Sequence, residues 1–180
     1  MTRAGKQAAA MGSLTDQAAL DHAAKVIGIG AVKYADLSKN RTSDYVFDWD
    51  AMLALDGNTA PYMQYAYARV QSVFRRAELR QDQAAALQVG ELREASEQRL
   101  AVALLRLQEV AEQMVAEGMP HYLCTYLYEL ANLFMRFYEN CPILKAPADL
   151  RDSRLALCAH MATVVQQGLT LLGIETLEQM

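Results

Sequence analysis

Glycine and proline punctuate the second half of this sequence at intervals that helices satisfy and strands do not. Gly118 is followed by Met119 and Pro120, then by an apolar stripe of Leu123, Leu127, Leu130, Phe134 and Phe137 at steps of three and four. Glycine just past one helix and proline opening the next is the asymmetry that backbone sterics favour. The three-and-four step marks one apolar helix face. Pro142 and Pro147 bracket a connection, and a further helix from about Ala148 to Leu172 carries Leu155, Ala159, Ala162 and Leu169 before Gly173 caps it. Upstream, Leu100, Leu104, Leu107, Ala111 and Met114 recur in the same way and predict one helix from about Glu91 to Glu117.

A fourth long helix precedes these. Asn58 or Thr59 can cap it, Pro61 is tolerated in its first turn, and it runs to about Glu78 with Tyr62, Tyr65, Arg69 and Phe74. The Gln- and Ala-rich stretch Leu79 to Gly90 reads as a linker. Nearer the start, Thr15 can cap a helix carrying Leu20, Ala23, Ala24 and Ile27. Gly28 and Gly30 are expected to interrupt it, with Ala31 to Leu37 forming a further short helix. That G-x-G follows no strand and lacks a third glycine, so it is no dinucleotide loop. Residues 1–12 read as a loose lead-in. Tyr45, Val46, Phe47 and Trp49 make Arg41 to Asp50 an extended segment or a brief strand. Four helices on short links predict an all-α antiparallel bundle.

Composition sets the outer limits. With 53% hydrophobic and 21% charged residues in 180, a packed core of about one domain is expected. Seventeen Lys and Arg against 21 Asp and Glu give a net charge of −4, which excludes a polybasic protein but leaves room for a local basic face. No apolar run approaches the roughly 18 residues of a membrane span and Met1 opens no signal-peptide pattern, so a soluble, cytoplasmic protein with no membrane or DNA partner is expected. Cys124, Cys141 and Cys158 form no C-x-x-C pair and read as small core residues. His22, His121 and His160 are scattered, so no metal site is expected. No P-loop and no nucleophile beside a base appears.

Several blocks resemble the arginyl-tRNA synthetase family. They are Gly28 to Arg41 (GIGAVKYADLSKNR), Phe47 to Asp50 (FDWD), Asp56 to Arg69 (DGNTAPYMQYAYAR), Arg154 to Leu157 (RLAL) and the closing Gly168-Leu169, Leu171 to Glu175 and Met180. The resemblance covers residues 14–180 in order. It implies the C-terminal part of a class I synthetase that joins arginine to its tRNA using ATP with Mg. Residues 1–56 would be the end of the catalytic domain and residues 57–180 a helical anticodon-binding domain of DALR type. Thr2, Arg3, Ala4 and Gly5 look like a remnant of the family's KMSKS-like loop, whereas Lys6 to Gly12 depart from the pattern. The family's HIGH-type signature and arginine pocket have no counterpart in these 180 residues. The chain alone is therefore expected to hold no cofactor and to perform no aminoacylation, needing a catalytic domain in cis or as a separate chain.

Splayed anticodon bases call for aromatic platforms and guanidinium groups. Tyr62, Tyr65 and Arg69 stand at i, i+3 and i+7 and share one helix face. By spacing alone such a stripe is more often core packing than a site. The resemblance aligns it with anticodon-facing positions of the family, and does the same for Tyr138 and Met180. Some family members carry an aromatic four residues after Tyr138, where this sequence has Pro142. Arg75, Arg76 and Arg80 either contact phosphates or are merely solvated. Lys33, Lys39 and Arg41 either face tRNA or pair with Asp36 and Asp44, while Tyr122 and Tyr126 read as packing. Two rival readings stay open: a stand-alone anticodon-domain paralogue, and a helical protein-interaction module without ligase activity.

Overall fold

An aspartate starts the first long helix. Asp16 Oδ2 accepts from the Ala19 N–H at 3.1 Å, and α1 runs from Gln17 to Leu37 without a break. The computed structural model describes residues 3–5 and 16–180; the expected cap Thr15 and the lead-in, apart from Arg3–Gly5, lie outside them. Gly28 and Gly30 do not interrupt α1. A Cβ on Gly30 would sit 3.1 Å from Gln64 Nε2 and 3.2 Å from Ile174 Cγ2. The glycine is there for a close approach of neighbouring chain, and the packing it permits outweighs its poor helix propensity.

No strand forms among the described residues. The 41–50 segment stays exposed, with no neighbouring backbone to pair against, and Asp48 caps the short α2 (Trp49–Met52) by accepting from Asp50 N and Ala51 N. Thr59 caps α3 (Ala60–Ala77), its hydroxyl accepting from Tyr62 N at 3.2 Å, and Glu78 ends it in the left-handed region. The supposed linker contains a short helix, α4 (Gln81–Ala85), packed on the last helix.

The helix expected over 91–117 is two, α5 (Ala95–Leu104) and α6 (Leu107–Glu117). Leu105 N and Arg106 N bond three residues back, to Val102 and Ala103, while the Tyr126 hydroxyl donates to the Ala103 carbonyl at 3.0 Å. A side chain from another helix thus occupies a carbonyl of the ladder, and the chain turns there. Gly118 in the left-handed region closes α6, after which α7 (His121–Asn140) and α8 (Ala148–Leu171) follow with the boundaries their punctuation predicts.

Contacts along the helices give their directions. Ser96 lies against Cys141 and Ala103 against Tyr126, so α5 runs antiparallel to α7. Leu127 meets Gly168 while Pro142 meets Arg154, so α8 is antiparallel to α7 as well. α3 pairs Tyr62 with Asn132 and Arg69 with Tyr138, and so runs parallel to α7. The stripe Leu123, Leu127, Leu130, Phe134 and Phe137 is fully buried, as are Leu155, Ala159, Ala162 and Leu169. All three cysteines are buried, and burial pushes the Cys124 thiol up to about 12. Among the described residues no helix is long and apolar enough to cross a membrane, and no group of three or more His, Cys, Asp or Glu is placed to hold a metal ion.

Two details hold α7 and α8 in register. A Cβ on Gly168 would come within 2.7 Å of Leu127 Cδ2, so the helices meet where a side chain is missing. Across the bundle, Glu97 and Arg154 form an ion pair at 2.6 Å with both side chains buried, and Arg154 Nη1 donates to the Pro142 carbonyl at 2.8 Å. Burial would raise the Glu97 pKa, yet the Glu94 N–H, the Arg154 guanidinium and the Arg93 N–H together hold it below its ordinary 4.5.

Gly168→Ala is expected to destabilise the fold by about 1–2 kcal/mol in denaturant titrations, overpacking against Leu127 exceeding the gain in helix propensity. Because the Glu97 pKa is depressed in the folded state, its contribution is complete above the ordinary value of 4.5 and is lost as pH falls through the lower folded value. Glu97→Gln, which strands a buried Arg154, is expected to cost about 3–5 kcal/mol at neutral pH. Between pH 7 and pH 3 the parent should lose more stability than Glu97→Gln does.

Candidate nucleic-acid interface

One face of α3 meets one edge of α7 because the two helices run parallel. Thr59 and Pro61 fix where α3 starts, and the 3.6-residue period then brings Tyr62, Tyr65 and Arg69 out on one side, each half-buried. At the near end the Tyr62 hydroxyl donates to Asn132 Oδ1 at 2.9 Å, and its ring stands edge-on to Tyr128 with centroids 6.0 Å apart. Burial, followed by the nearby Tyr128, Glu139 and Tyr65, raises the Tyr62 pKa, so this phenol stays neutral and able to donate.

Two turns further along, Arg69 lies between two aromatic rings. Its guanidinium carbon is 4.7 Å from the centre of the Tyr138 ring and 5.5 Å from that of Tyr65, and Nη1 donates to the Tyr65 hydroxyl at 2.8 Å. Phe134 backs Tyr138 at 6.1 Å, fixing the ring from behind. Cation–π contacts of this kind are worth about 0.5–2 kcal/mol each. No carboxylate pairs with Arg69 among the described residues, and its buried Nε has no hydrogen-bond partner. The result is a cationic platform with two aromatic flanks and no paired carboxylate among the described residues.

Tyr62, Tyr65, Arg69 and Tyr138 are thus brought together. Met180 is not among them: it packs on a second, smaller cluster with Ala23, Val26, Ile27, Met52, Leu53 and Leu177. The three further arginines separate. Arg75 Nη1 donates to the Glu178 carbonyl at 2.9 Å and is committed to the tail. Arg80 closes on Asp82, with Nε at 3.0 Å from Oδ1. Arg76 is exposed, has no ion pair among the described residues, and lines a depression with Tyr138, Pro142 and Lys145.

In the KMSKS-like remnant, Thr2 lies outside the described residues. Arg3 pairs with Asp50 at 3.4 Å, Ala4 packs on the smaller cluster, and Gly5 is helical with them. Lys33 does not pair with Asp36 or Asp44: its Nζ donates to the Gly173 carbonyl at 2.6 Å, and Asp36 is taken by the Tyr45 hydroxyl. Lys39 and Arg41 are exposed and form no ion pair with Asp36 or Asp44. Both tyrosines read as packing do pack on the main core, Tyr126 buried and Tyr122 half-buried with its hydroxyl donating to Glu117 at 2.7 Å. Sequence reasoning passed over Tyr128, Asn132 and Lys145. The first two stand at i, i+4 on α7, a readable spacing, but the helix they would meet was not readable.

Residues 63–180 match the family described as DALR anticodon binding domain, and residues 8–49 match the catalytic domain of class I (R) tRNA synthetases. The arginine–tRNA ligase of Proteus mirabilis (strain HI4320) is 54% identical over 166 residues, 92% of this chain and 28% of the relative. That of Escherichia coli O127:H6 (strain E2348/69 / EPEC) is 57% identical over 162 residues, covering 89% and 28%. The solved arginyl-tRNA synthetase of Thermus thermophilus superposes with a TM-score of 0.83 at 28% identity, covering 98% of this chain and 31% of its own. The chain therefore spans 28% of the length of these curated relatives. With a single family match running through α3 to α8 and the tail, the chain belongs to the DALR anticodon-binding domain family.

Proposed function

We propose that this chain recognises the anticodon of tRNA(Arg) as the C-terminal part of an arginine–tRNA ligase. The observation that carries the reading is Arg69, whose half-buried guanidinium lies between Tyr65 and Tyr138 with no ion pair among the described residues. A guanidinium in that setting offers a stacking plane and donors to an unpaired base, and the tyrosines offer further platforms. Tyr62, tied to Asn132 and packed edge-on to Tyr128, extends the aromatic surface along the same face. In this reading residues 1–56 are the end of the catalytic domain and residues 57–180 the anticodon-binding domain.

The partners are tRNA(Arg) and the remainder of the catalytic domain, joined in cis or supplied as a second chain in the cytoplasm. Val46 is 91% exposed, and Phe47 packs edge-on against Trp49 while half of its surface stays bare, an apolar strip suited to such a domain. ATP with Mg belongs to that larger assembly. Of the KMSKS-like remnant, Arg3 lies 3.4 Å from Asp50 on the exposed surface. The chain's own residues bind and orient the tRNA.

Purified chain should bind tRNA(Arg) more tightly than a non-cognate tRNA at both low and moderate salt. Tyr65→Ala and Arg69→Ala should each weaken cognate binding about tenfold or more, since a stacked base contributes about 1–3 kcal/mol. Equal, weak binding to both tRNAs that ignores these changes would overturn the reading, and would favour a helical module serving a protein partner.

A further inference from the structure

Beside Tyr138 lies a depression whose polar lining is one-signed. Arg76 comes to it from the last turn of α3 and Lys145 from the loop after α7; Val73 and Ile143 lie between, and no carboxylate lines it. The chain carries more acidic than basic residues, 21 against 17. Arg80, Arg93, Arg106 and Arg151 each turn to a carboxylate, yet Arg76 and Lys145 have no ion pair among the described residues. Two cations facing one hollow without a counter-charge repel each other, an arrangement an anion relieves. The adjoining depression across Arg76 carries Glu78 and Asp152 and lacks this character.

The hollow is also shaped in advance. Its loop wall is held by Arg154, whose Nη1 takes the Pro142 carbonyl at 2.8 Å while Nε is fixed by Glu97 at 2.6 Å. Pro142 adds its own rigid ring to that wall. Tyr138 is shared: the ring against which Arg69 stacks also borders the depression. The Arg69 platform and the hollow therefore share the Tyr138 ring as a common wall.

We propose that this depression is a phosphodiester-binding subsite in which Arg76 and Lys145 hold the backbone of the nucleotide next to the base at Arg69. The subsite rests on the anticodon reading above and deepens it. Arg76 and Lys145 supply charge without sequence information, while the Tyr65–Arg69–Tyr138 platform supplies selection among bases.

The test is the salt dependence of tRNA(Arg) binding by the 180-residue chain. Each single-stranded phosphate contact contributes about 0.7 to the slope of log affinity against log salt. Arg76→Ala and Lys145→Ala are expected to lower the slope by about that amount each and to weaken cognate and non-cognate tRNA alike. Arg76→Lys should keep the slope. Arg80→Ala, whose charge is already matched by Asp82, should leave it unchanged. Tyr138→Ala should weaken cognate binding with the slope intact. If Tyr138→Ala and Tyr65→Ala act as expected but Arg76→Ala and Lys145→Ala leave the slope alone, the subsite is refuted and the anticodon reading stands. An equal loss of slope in Arg80→Ala would refute it too, by showing a diffuse charge effect. Non-selective binding indifferent to every change would refute both.

Discussion

Arg154 is the residue on which the geometry of this bundle depends. It lies on α8, only 6% exposed, and binds two partners that sequence places far apart: Glu97 on α5 and the Pro142 carbonyl just past α7. Glu97 in turn accepts from the Arg93 and Glu94 N–H groups and so closes the start of α5. A buried ion pair returns little net stability once its desolvation is counted. Its effect is on alignment, because a small slip of any of the three segments would leave a charge buried and unmatched. The loop that borders Tyr138 inherits that fixed position.

The second constraint is direction. α3 and α7 are separated in the chain by α4, α5 and α6, which return the backbone to the end from which α3 began. The two helices therefore ascend side by side, and residues two turns apart on one meet residues a similar distance apart on the other. Tyr62 finds Asn132 and Tyr128; Arg69 finds Tyr138. An antiparallel pairing would have set Tyr62 opposite Tyr138 and dissolved the platform. The α3 face that bears Tyr62, Tyr65 and Arg69 is only half-buried because its opposite side, through Met63, Val70 and Phe74, already meets the core.

Where a feature is local, the sequence shows it. Thr59, Gly118 and the prolines around 142 and 147 act through backbone geometry within a few residues, and the helices begin and end near them. The stripe of Tyr62, Tyr65 and Arg69 is visible for the same reason. Features that depend on a distant neighbour were not visible. Gly28 and Gly30 look like breakers until Ala4 is seen against the first and Gln64 and Ile174 against the second. The run from Glu91 to Glu117 looks continuous until the Tyr126 hydroxyl takes the Ala103 carbonyl. Arg75, Arg76 and Arg80 look alike in sequence, yet a tail carbonyl, an open hollow and an adjacent aspartate give them three different surroundings.

Tyr34 carries one more consequence. It belongs to α1, in the stretch that matches a catalytic-domain family, yet its ring is 1% exposed within the core built by α3, α7 and α8. Its hydroxyl stands 2.7 Å from Asn58 Oδ1 and 2.9 Å from the Cys124 carbonyl. Drawing α1 away would strip that phenol from both acceptors and open a void the size of a tyrosine beside α7. A single buried tyrosine therefore ties the helix that matches the catalytic-domain family to the bundle that matches the anticodon-binding family.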